Sequence, residues 1–74
     1  MLNARQIRAA RAWLGISQDD LAEASLVSKR TIAGIELGQS ANDRTLRDIQ
    51  QALEDRGIEF IFNDGVAAGV RGPL

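Results

Sequence analysis

The chain has 74 residues and a formal net charge of −1, nine Lys and Arg set against ten Asp and Glu, with neither Cys nor His. Disulfides are therefore excluded, a structural zinc site is disfavoured, and a core this small must rely on tight helix packing or oligomerisation. The commonest general base and the strongest thiol nucleophile are missing, no Ser lies in a nucleophile-elbow pattern and no Gly-rich run reads as a phosphate loop, which argues against an enzyme.

Residues 2–14 carry Ile7, Ala10 and Leu14 on one helical face. Asn3 suits the N-cap and Gly15 the left-handed stop. Ser17 with Asp20 three residues on predicts a second start close to a capping box, with a helix from Gln18 to about Ala24 whose Leu21 and Ala22 face inward. Ser28 starts a third helix, Lys29 to about Leu37, which buries Ile32 and Ile35 and closes at Gly38. After a polar loop, Asn42 or Asp43 caps a fourth helix with Leu46, Ile49 and Leu53 on its apolar face, ending at Gly57. The period then changes to two over Ile58–Phe62, and Asn63-Asp64-Gly65 signals a turn. Val70 and Arg71 are candidates for a short return strand.

The fold class is thus mainly α, with residues 1–57 as a helical domain and residues 58–74 as a C-terminal strand and tail. Residues 1–47 hold seven basic and five acidic side chains, and residues 48–74 hold two and five, so the N-terminal part is mildly cationic. Two short helices, each opened by its own Ser and joined by the short connection Ser25-Leu26-Val27, form a helix-turn-helix unit. In such a unit the first helix braces the second, whose start projects into a DNA major groove. Ala22 permits close crossing and Val27 plugs the space between the helices.

Residues 17–38, SQDDLAEASLVSKRTIAGIELG, resemble the Cro/lambda-repressor-like (XRE-like) family through Ser17, Gln18, Leu21, Ala22, Val27, Ser28, Ile32, Ile35, Glu36 and Gly38. The resemblance extends over about residues 4–56 and implies a four-to-five-helix DNA-binding domain. One position departs from the pattern: Leu26 stands where the family usually has Gly at positive φ. Either the turn relaxes there or it tolerates about 1 kcal/mol of strain.

The resemblance implies that Lys29, Arg30, Thr31 and Gly34 face DNA bases. Gly34 lies one turn along the face, where a missing side chain allows close approach. It likewise implies that Gln18, Ser28, Asn42 and Arg44 hold phosphates. Each has a plainer reading: Ser28 as cap, Lys29, Arg30 and Gln18 as solvated surface, Arg44 as partner of acids on its own helix. The resemblance also implies that Arg11 pairs with Glu36 and ties the first helix to the third, with a DNA contact by Arg11 as the alternative. Arg5 and Arg8 read as exposed, and Trp13 as packing against the fourth helix or the C-terminal strand.

Reading a palindromic operator requires two copies. Ile58, Phe60, Ile61 and Phe62 carry apolar groups on both faces of one strand, which suits pairing with a second subunit. An intrachain hairpin with residues near Val70 is the alternative, and both can hold together. The expected function is a bacterial or phage-type homodimeric repressor binding double-stranded DNA, without metal, cofactor or small-molecule ligand. The alternative is an antitoxin-type or anti-activator protein whose main partner is another protein. No apolar run approaches the roughly 18 residues that span a bilayer, and no apolar signal core opens the chain, so the expected location is the cytoplasm with no membrane partner.

Overall fold

Asn3, Ser17, Ser28 and Asn42 each hold extended backbone, and each side-chain oxygen accepts the backbone N–H three residues on. These local bonds satisfy donors that a helix start leaves open. They open the four helices of the computed structural model, which describes residues 2–73. The helices are α1 (Ala4–Leu14), α2 (Gln18–Ser25), α3 (Lys29–Glu36) and α4 (Asp43–Glu54), and two strands follow, β1 (Glu59–Asn63) and β2 (Val66–Arg71). Among the described residues there is no fifth helix. Full capping boxes form at Asn3/Gln6 and at Ser17/Asp20.

The apolar faces meet in one cluster that includes Ile7, Ala10, Leu21, Ile32, Ile35, Leu46, Ile49 and Leu53. Leu14, Ala22 and Val27 pack half-buried against it. Leu2, Ile58 and Phe60 complete the cluster from the two ends of the chain.

The C-terminal segment departs from the expectation in extent. The return strand begins at Val66 rather than near Val70, and β1 and β2 pair antiparallel within the chain. Asp64 and Gly65 both take positive φ, 53° and 78°. That is the two-residue turn whose twist matches a hairpin. The register shifts between Ile61 and Phe62, so that Ala68 is left over as a bulge opposite them. Gln6, buried on α1, donates its amide to the carbonyls of Ile61 (3.2 Å) and Gly69 (2.9 Å) beside that bulge. One side chain thereby caps its own helix and fastens the hairpin to it.

This arrangement corrects the assignment of Ile58 and Phe60 to a contact between subunits. Both are buried in their own chain's core. Phe62, on the same face as Phe60, is half-buried against that core, and Ile61 on the opposite face is half-exposed.

Candidate nucleic-acid interface

The turn between α2 and α3 is held from inside. The buried Ser25 hydroxyl donates to the Leu21 carbonyl (2.7 Å) and accepts the Val27 N–H (3.3 Å). Leu26 does not relax: it takes φ 59°, ψ 25° with its side chain 93% exposed. It therefore carries left-handed strain without gaining a packing contact.

On α3, Ile32, Gly34, Ile35 and Glu36 are buried, and Lys29, Arg30 and Thr31 are exposed at its start. Ser28 accepts the Thr31 N–H (3.1 Å) and donates its hydroxyl to Thr31 Oγ1 (2.9 Å). The Lys29 ammonium lies 3.3 Å from the Asp19 carboxylate in an exposed pair. Such a pair contributes little and is screened by salt. Arg30 forms no ion pair among the described residues.

The far end of α3 is clamped. Arg11 Nε donates to Glu36 Oε2 and Nη2 to Oε1, both at 2.8 Å. Gln18 Nε2 donates to the same Oε1 at 3.2 Å, and the Arg8 guanidinium donates to the Glu36 backbone carbonyl. Three side chains from α1 and α2 converge on one residue of α3, and Arg8 also places a cation at the negative end of the α3 dipole. Burial pushes the Glu36 carboxyl upward. The hydrogen bonds from Arg11 and Gln18, with the charges of Arg11 and Arg8, outweigh it and hold the group below the usual carboxylate range.

Two short helices at this spacing, a solvated basic start on the second and an ion pair locking its end to α1 form a complete helix-turn-helix scaffold. A family model described as helix-turn-helix matches residues 7–60. The chain belongs to this helix-turn-helix family, of the Cro/lambda-repressor-like (XRE) type. It is a DNA-binding transcription regulator of that type, in a family of regulators rather than of enzymes. Comparison with curated proteins finds no match. Among the described residues no helix is long and apolar enough to cross a membrane, and no cluster of metal-ligating side chains occurs.

In this regulator the site residues named from the sequence fall into distinct places. Lys29, Arg30 and Thr31 stand together on the exposed start of α3. Ser28 is their cap. Gln18, half-buried, turns its amide inward to Glu36. Asn42 caps α4 by accepting the Thr45 N–H at 2.8 Å, and Arg44 is exposed on the first turn of that helix, without an ion pair among the described residues.

Gly34 differs from the expectation of an open face. It is buried, because the side-chain amide of Gln39 lies over it, in the space a Cβ would take. Trp13 is half-exposed and donates its indole N–H to the Pro73 carbonyl (2.7 Å), so it packs on the C-terminal tail.

Sequence reasoning missed Gln6, Arg8 and Gln39. Arg8 had a signal, since it stands three residues before Arg11 on the helix face that meets the end of α3. Gln6 had only its capping-box position. Gln39 had none.

Proposed function

We propose that the regulator is a homodimeric repressor that inserts the start of α3 into the major groove of each half of an inverted-repeat operator. The observation that carries this reading is the division of α3, with Lys29, Arg30 and Thr31 solvated at its start and the rest of its apolar face buried. In this reading Lys29 and Arg30 donate to the N7 and O6 acceptors of guanine, and Thr31 meets a thymine methyl. Ser28, with the helix N-terminus behind it, binds a phosphate, as do Gln18, Asn42 and Arg44. Gln18 retains one amide N–H beyond its bond to Glu36 for that contact.

Dimerisation uses the hairpin. β1 pairs with β2 on one side only, and its other edge is unpaired in a two-stranded sheet. Ile61 and Phe62, both half-exposed, flank that edge. Antiparallel pairing of β1 with its copy closes a four-stranded sheet around a two-fold axis. In this reading repression follows from occupancy of the operator.

The test is a gel shift of the purified protein on the DNA upstream of its own gene, with the Lys29→Ala/Arg30→Ala double variant beside it. A discrete shift lost in the double variant supports the reading. A folded protein that gives no shift at low salt overturns it and points to a protein partner, which a pull-down then identifies.

A further inference from the structure

We propose that Gln39 supplies the base contact that Gly34 lacks and reads an adenine in each half-site, a proposal that rests on the major-groove reading of α3. Arg30 and Gly34 are four residues apart and share one face of α3. A base-reading helix has a position at each of these two levels, and here the second has no side chain. The helix end fills the gap. Gly38 takes φ 99° and donates its N–H to the Ile35 carbonyl (2.9 Å), and Gln39 donates its N–H to the Gly34 carbonyl (2.9 Å). This paired closure of a helix end brings the second residue beyond it back over the residue three from the last helical carbonyls. An apolar contact is usual at that point. In this chain it is an amide, and the Gln39 Oε1 sits against Gly34 where a Cβ would be.

The amide is free to act. Gln39 is exposed and borders an open groove with Asn3, Arg5 and Ser40. Among the described residues its side chain takes part in no hydrogen bond with the protein, whereas Gln6 and Gln18 are both committed. A glutamine amide carries one acceptor and two donors side by side. That pattern is matched by adenine, whose N6 donates and whose N7 accepts in the major groove. Gly34 and Gln39 therefore act as a unit, because any larger residue at 34 displaces the amide.

The experiment is selection of binding sites from random double-stranded DNA with the full chain and with Gln39→Ala, Gly34→Ala and Arg30→Ala. Gln39→Ala is expected to lose about tenfold of its preference at one A·T pair in each half-site, with the other positions unchanged. Gly34→Ala is expected to lose preference at the same pair while melting at the wild-type temperature or above it. Arg30→Ala is expected to lose preference at a different pair. Wild-type enrichment with an unchanged Gln39→Ala profile overturns this proposal alone, as does an even loss of affinity across all positions, which marks a phosphate contact. A wild-type protein that enriches no sequence overturns the major-groove reading and this proposal with it.

Discussion

Arg11 and Glu36 meet through two parallel hydrogen bonds of 2.8 Å, fork against fork, with Glu36 95% shielded from solvent and Arg11 only 21% exposed. A shielded carboxylate stabilises only with its partner in place. Arg11→Met leaves Glu36 with Gln18 and the Arg8 charge, and is expected to cost about 3 kcal/mol of folding free energy. Arg11→Lys restores the charge but not the fork, so it recovers only part. Urea unfolding measures both. A loss below about 0.5 kcal/mol for Arg11→Met shows that the pair is ornamental to the fold.

Acid should weaken the same link. The folded-state Glu36 carboxyl lies below its ordinary value, so the unfolded chain binds its proton more readily. Its contribution is fully present above the unfolded value of about 4.3 and is lost as pH falls through the lower folded value. Asp20 acts in the same direction, held down by hydrogen bonds from the Ser17 backbone and hydroxyl. Stability is thus expected to fall with pH below about 4.3, and Glu36→Gln to flatten that slope without abolishing it. Chemical unfolding at a series of pH values decides. An unchanged slope in the variant contradicts the role given to Glu36.

Leu26 offers a gain. Its φ of 59° suits Gly, and its side chain contributes no burial. Leu26→Gly removes about 1–2 kcal/mol of strain and adds about 0.5–1 kcal/mol of unfolded-chain entropy. The expected result is a stabilisation of up to about 1.5 kcal/mol, or a melting rise of up to about 10 °C for a domain of this size. A lower melting temperature means that the Leu side chain contributes something its exposure does not reveal.

Lys29 and Asp19 form an exposed ion pair; in the proposed complex it restrains a base-reading side chain and places a negative charge beside the DNA. Asp19→Asn is expected to raise operator affinity about threefold at low salt, with the gain shrinking as salt rises. Fluorescence anisotropy titrations at two salt concentrations test this. An unchanged affinity at low salt places Lys29 away from the phosphates and bases.

The helical part of the fold was legible because its signals are local. Asn3, Ser17, Ser28 and Asn42 act three residues ahead of themselves, and the apolar residues of each helix repeat within its own span. The hairpin was legible in one strand only. β1 is written in Phe60, Ile61 and Phe62, but Val66-Ala67-Ala68-Gly69 carries almost no strand propensity and becomes a strand through its partner. The bonds that fasten it come from Gln6, 55 and 63 residues away in sequence, a separation that no periodicity reports. The same holds at the candidate interface. The start of α3 follows from its Ser28 cap, and Lys29, Arg30 and Thr31 are singled out there by the family resemblance, whereas Gln39 over Gly34 depends on how the chain folds back after Gly38.

Dimethyl sulfate footprinting of the retarded complex tests most directly whether α3 enters the major groove. The reagent modifies guanine N7, which faces that groove, and adenine N3, which faces the minor groove. The expected result is N7 protection in two patches about ten base pairs apart, weakened at one guanine of each patch in Arg30→Ala. Protection confined to adenine N3, with every guanine N7 left reactive, contradicts the placement of α3.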